Sequence, residues 1–203
     1  WTVDAQEQPG SSTSTPTNSG DDVTWVATAT DSNSAPYFLL LCSNNATPTA
    51  NAAAGPSSLG TAAPDCHVSA TQWGVSASTT SGAQATVTYT TSEGDAEVND
   101  WYAWVCDDDP VNPRCNSAFR QGSGTTSSPF VVNHRPDFTT FVDDSPADPG
   151  AVVTFTATAS DTDVEGGADE VQLFLCSTAA FTVSTLTCDG TTLATSTLSV
   201  SDP

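Results

Sequence analysis

The chain has 203 residues, room for one large domain or two small ones, and hydrophobic residues make up 37% of it, which excludes disorder over most of its length. Its 24 acidic residues stand against three basic ones and give a formal net charge of -21. Such a surface repels nucleic acid and anionic lipid, and no run approaches the roughly 18 apolar residues of a membrane span, so neither nucleic-acid binding nor direct membrane insertion is expected of this segment.

The first residue is Trp1 and not Met, so the expectation is a processed or excised part of a longer chain. Gln8 to Gly20 is rich in Ser, Thr and Pro and reads as a mobile loop. From Val23 to Asp31, Val23, Trp25, Ala27 and Ala29 alternate with Thr24, Val26, Thr28 and Thr30, the period of a half-buried strand. Strands are then expected at Tyr37 to Ser43, Val68 to Ser76, Ala85 to Thr91, Trp101 to Asp107 and Pro129 to Asn133, with an Ala-rich mobile loop from Asn44 to Pro64. After the short junction Asn133-His134-Arg135-Pro136, further strands are expected at Phe138 to Asp143, Val152 to Ser160, Val171 to Ser177 and Thr192 to Val200. No segment carries a convincing helical period.

Two of these segments are repeats of earlier ones. Val23-Thr-Trp-Val-Ala-Thr-Ala-Thr-Asp31 recurs as Val153-Thr-Phe-Thr-Ala-Thr-Ala-Ser-Asp161, and Leu39-Leu-Leu-Cys-Ser43 recurs as Leu173-Phe-Leu-Cys-Ser177. Matches in the same order mean a duplicated domain. The expected division is 1–134 and 135–203, and Trp25 and Phe155 take the same inward position. Short alternating strands with frequent turn residues predict an all-β chain of antiparallel sandwiches, the second incomplete because it lacks counterparts of Ala85 to Thr91, Trp101 to Asp107 and Pro129 to Asn133.

Six cysteines with no Cys-x-x-Cys pair favour disulfides over a metal-thiolate site, and disulfides place the chain in an oxidising, extracellular compartment. The repeat aligns Cys42 with Cys176, and each precedes one further cysteine, so Cys42 pairs with Cys66 and Cys176 with Cys188. Cys106 is left for Cys115, across the acidic loop Asp107-Asp-Asp-Pro-Val-Asn-Pro-Arg114.

The segment Asp148-Pro-Gly-Ala-Val-Val-Thr-Phe-Thr-Ala-Thr-Ala-Ser-Asp161 and the aromatic strand Trp101-Tyr-Ala-Trp-Val-Cys106 resemble the immunoglobulin-like, fibronectin-type and PKD-like tandem repeats of large bacterial and archaeal cell-surface and extracellular filament proteins. The resemblance implies tandem immunoglobulin-like β-sandwiches in a structural or adhesive protein: an adhesin, stalk, surface layer or filament. The partners implied are further copies of the repeat in the same or neighbouring chains, and glycans or another cell's surface.

Several residue groups carry a chemical reading beside a structural one. Asp161, Asp163, Glu165 and Asp169 alternate around a glycine as in the first half of a calcium loop, yet Gln172 stands where a closing Glu belongs and a strand follows where a helix would; calcium and a solvated acidic loop both stand as readings. The Asp107 to Asp109 triplet and Asp143-Asp144 are weaker cases of the same kind. Trp101 and Trp104 lie on opposite faces of one strand, so one exposed ring would make a carbohydrate-binding module the alternative function. Asn45-Ala46-Thr47 is an N-glycosylation acceptor. No nucleophile elbow, metal-binding His pair or phosphate loop is present, so no enzyme is expected and no cofactor is required.

A half-sandwich would leave Phe155, Val171 and Leu173 facing water and its sheet edges unpaired. Its completion is expected either from a continuing chain, the favoured case, or from a strand of a neighbouring molecule, with Trp1 to Ala5 as the candidate donor.

Overall fold

A computed structural model of the chain describes residues 1–52, 62–161, 163 and 171–197. The described residues are almost wholly strand and loop, with two single-turn 3-10 segments at Gly124–Thr126 and Val183–Thr185. They divide into two compact units, Trp1–Asn133 and His134–Pro203.

In the first unit, β1 (Val3–Glu7), β3 (Asp22–Thr28) and β6 (Gln84–Thr90) form one antiparallel sheet in the order β1-β3-β6. A second sheet, β5-β4-β8, holds β5 (Gln72–Val75), β4 (Tyr37–Cys42) and β8 (Tyr102–Asp107). A third, β2-β9-β7, is made of β2 (Thr17–Asn18), β9 (Phe130–Asn133) and β7 (Val98–Asn99), with β2 running parallel to β9.

All three sheets feed one core. The alternation from Val23 to Ala29 turns Val23, Trp25, Ala27 and Ala29 inward, where they meet Leu39 and Leu41 of β4, Val87 of β6 and Phe130 of β9. Trp25 sits edge-on to Phe130 and Trp101, with centroids 5.6 and 6.2 Å away, and Trp73 packs edge-on against Phe130 and Tyr89, each at 5.1 Å. Edge-to-face pairs of this kind each contribute about 0.5–1.5 kcal/mol beyond their burial.

β4 is buried at every position, because a second cluster covers its other face: Leu40, Cys42 and Trp104 under Cys66, Val75 and Phe119. A strand covered on both sides need not alternate, which is why Leu39-Leu40-Leu41 is an unbroken apolar run. The Tyr37 hydroxyl ties the two large sheets together, donating to the Ala83 carbonyl at 2.6 Å and accepting the Ala29 N–H at 3.2 Å.

In the second unit, β10 (Asp137–Asp143) pairs with β11 (Phe155–Ser160), β12 (Phe174–Cys176) with β15 (Thr192–Thr195), and β13 (Phe181–Thr182) with β14 (Thr187–Cys188).

Several expected boundaries are corrected. Gln8 to Gly20 is not a featureless loop: it holds the Ser12–Thr15 bridge and β2. Asn44 to Pro64 is not wholly unpaired either, since Thr49 exchanges two main-chain hydrogen bonds with Asp65; residues 53–61 lie outside the described residues. The strand expected from Val68 begins only at Gln72, because a tight turn, closed by Ala70 N–H to the His67 carbonyl, leaves Val68 98% exposed. The segments expected from Val152 and Val171 become regular strand only at Phe155 and Phe174, and the one expected as far as Val200 ends at Thr195, with residues 198–200 outside the described residues.

Candidate functional site

The duplication goes deeper than the two sequence motifs. In the first unit Leu40, Leu41 and Cys42 face Val75, Gly74 and Gln72, with a bulge opposite the Leu41–Cys42 step. In the second unit Phe174, Leu175 and Cys176 face Thr195, Ala194 and Thr192, with the bulge at the same step. Ser76 N–H donates to the Leu39 carbonyl and its Oγ accepts the Leu39 N–H; Ser196 does the same to Leu173. Ser43 Oγ accepts the Thr71 N–H at 2.8 Å, and Ser177 Oγ accepts that of Thr191 at 2.9 Å. Disulfides join Cys42 to Cys66 and Cys176 to Cys188, closing the same corner in each unit, and a third joins Cys106 to Cys115.

What the units do not share is cover. β3 is flanked by β1 and β6, and β4 by β5 and β8. Among the described residues, β11 pairs with β10 alone and β12 with β15 alone. The equivalent side chains are correspondingly wetter: Val23 is 2% exposed and Val153 39%, Trp73 is 9% exposed and its counterpart Leu193 61%. Phe155, Ala157 and Ala159, counterparts of the buried Trp25, Ala27 and Ala29, are only partly covered, as are Val171 and Leu173.

Between the β10–β11 pair and the β12–β15 pair of this unit lies an open groove of about 360 Å³. Phe138, Phe155, Ala157, Ala159, Val171 and Leu173 line it, with polar groups confined mainly to Thr156, Gln172, Ser196 and Thr197. It is an apolar surface beside two strand edges.

The residues singled out in the sequence are dispersed. Trp101 and Trp104 are 0% and 3% exposed, so neither offers a ring to solvent; this corrects the expectation that one of them is open to a sugar. Trp104 is hidden because Phe119 and the Cys42–Cys66 corner pack over the outer face of its sheet. Asp163 is engaged by His134: one carboxylate oxygen accepts the His134 main-chain N–H, and the other lies 2.6 Å from Nδ1. Asp163 N–H in turn donates to Asp161 Oδ1 at 3.1 Å. Glu165 and Asp169 lie outside the described residues, and among the described residues no group of three or more His, Cys, Asp or Glu is arranged to hold a metal ion.

The acids of the Cys106–Cys115 loop hold its turn. Asp107 accepts the Arg114 N–H at 2.7 Å and is raised from its ordinary value by burial, whereas Asp109 is lowered by the main-chain N–H groups of Asn112 and Val111 that it accepts. Asp143 caps the Ser145 N–H, and Asp144 accepts that of Thr154. Asn45 and Thr47 of the glycosylation sequence are exposed.

Trp1 to Ala5 is not free to serve as a donor strand. Val3–Glu7 is already β1, paired with β3, with Ala5 and Glu7 fully buried and Trp1 packed against the core.

No protein-family model, no curated protein and no solved structure matches the chain, which leaves the internal repeat as the comparison that informs its function.

Proposed function

We propose that this chain is a segment of an extracellular structural or adhesive protein built from tandem immunoglobulin-like β-sandwiches, working as a stalk or filament element that holds and spaces other parts. The reading is supported above all by one observation: the same strand register, bulge, serine bridge and disulfide corner occur in both units. A framework repeated while its surface varies suits a module used in series. Disulfides suit an oxidising compartment outside the cytoplasm. Each bridge adds about 2–4 kcal/mol by restricting the unfolded chain. The excess of carboxylates keeps neighbouring molecules apart.

Stretching the whole chain between two handles tests the load-bearing role. A discrete unfolding step is expected under oxidising conditions. Reduction should then release the chain hidden behind bridges that span 24, 9 and 12 residues, lengthening the extended molecule by about 150 Å at ~3.3–3.6 Å per residue. Extension without any step, together with saturable binding of a soluble polysaccharide, would overturn the reading in favour of a binding module.

A further inference from the structure

The first unit records what covers the face that the second leaves open. β6 lies along β3 in unbroken antiparallel register, with Val87 opposite Trp25, Ala85 opposite Ala27 and Tyr89 opposite Val23. Its inward residues are Ala85 and Val87, both buried, with Tyr89 partly so, and its outward residues are Gln84, Thr86, Thr88 and Thr90. No residue of Gln84–Thr90 is charged.

β11 repeats β3 in sequence and in its pairing with the first strand of its unit. Asp143 faces Phe155 as Glu7 faces Trp25, and both pairings carry a bulge towards the other end. The edge of β11 that corresponds to the β6 side of β3 has no strand partner among the described residues. The apolar groove lies beside it, floored by Ala157 and Ala159. A strand edge next to an apolar face is a template for a further strand: main-chain bonds supply affinity and alternate side chains supply selectivity.

We propose that this edge and groove form an acceptor site for an extended, uncharged polypeptide strand of β6 chemistry. Small or β-branched apolar residues at alternate positions enter the groove over Phe155 and Ala157, and hydroxyl-bearing residues face out. The exclusion of carboxylates is physical, since the site is apolar and the surrounding unit is rich in Asp and Glu. The assignment rests on the tandem-repeat reading, but it can fail alone: the stretching experiment depends on the disulfide-closed framework and not on this edge.

The test is to titrate the full chain with a synthetic peptide of residues 83–91 and with a scrambled peptide of the same composition, following amide hydrogen exchange residue by residue. Saturable binding of the native-sequence peptide is expected, slowing exchange in Phe155–Ser160 about tenfold or more and leaving β3 unchanged. Ala157→Lys, which puts a charge on the groove floor, should abolish the effect. Thr158→Lys, on the opposite face of β11, should retain it. Unchanged β11 exchange, equal protection by the scrambled peptide, or equal binding by the two variants would overturn the proposal. So would protection of β11 by self-association without peptide, which would mean that a second copy covers the face.

Discussion

Ser76 closes both main-chain groups of Leu39: its N–H donates to the Leu39 carbonyl at 2.8 Å, and its Oγ accepts the Leu39 N–H at 2.9 Å. Leu39 is fully buried, so Ser76→Ala strands a donor where water cannot reach it. The expected loss is about 1–3 kcal/mol. Ser196→Ala removes the equivalent bond to Leu173, which is only partly buried and can be rehydrated, and should cost clearly less. Urea unfolding of the two variants, with tryptophan fluorescence for the first unit and exchange of the Leu173 amide for the second, checks the order.

Phe130 touches Trp25, Trp73 and Tyr89 at once. Phe130→Ala should remove about 3–5 kcal/mol, a large part of the 5–15 kcal/mol typical of a domain. Loss of the near-ultraviolet tryptophan signal at a lower temperature is the expected readout, and an unchanged melting temperature would contradict the packing described.

Glu7 is fully buried on β1, and burial pushes its carboxyl above its ordinary value of 4.5, against the opposing effect of Ser11, whose N–H donates to Oε1 at 2.9 Å. The folded chain therefore holds this proton more tightly than the unfolded chain. Glu7 then contributes stability that is fully present below pH 4.5 and is lost as pH rises through its raised folded value. Glu7→Gln cannot ionise, so the variant should gain on the parent as pH rises from 4 towards 7. A difference in urea midpoints that stays constant with pH would rule this out.

The Tyr89 phenol is pushed up to about 12 by burial, by the hydrogen bond it donates to Asp95 at 2.7 Å, and by that carboxylate's charge. Asp95→Asn should bring its titration, followed by phenolate absorbance, down towards the ordinary value of 10. The same substitution should weaken the loss of stability that the parent shows as pH rises through this range.

The strands that could be read from sequence are those whose burial is one-sided. β3 is legible because Thr alternates with Val, Trp and Ala; β1 is not, because its only buried residues are Ala5 and Glu7, and the Glu breaks the apolar alternation at the place where Ser11 satisfies it. β2 spans only two residues, too few to show a period, and exists because β9 is there to receive it. The Cys42–Cys66 and Cys176–Cys188 pairs follow from the repeat, since a duplicated framework carries its cysteines with it, and Cys106–Cys115 is the pair that remains. The closed state of Trp104 was beyond reach: its cover comes from Phe119, in a separate segment whose own sequence does not say where it folds. The kinship of Ser76 with Ser196 is not legible in the sequence, because the offset between the copies shrinks there to 120 residues, after the loop that holds each second cysteine.

The parallel pairing of β2 with β9 sets an order of events for folding. Asn18 meets Asn133, and their side-chain amides bond at 3.0 Å across a separation of 115 residues. A chain emerging from the ribosome amino end first must keep β2 uncommitted until the last strand of the unit is out. Contacts so far apart in sequence form slowly. The pairs of the second unit are local by comparison, β13 and β14 being separated only by the turn at Val183–Thr185. Until Phe130 arrives, Trp25 and Trp73 lack the ring that packs between them, which makes the interval before β9 emerges the period in which the nascent chain most needs protection from aggregation.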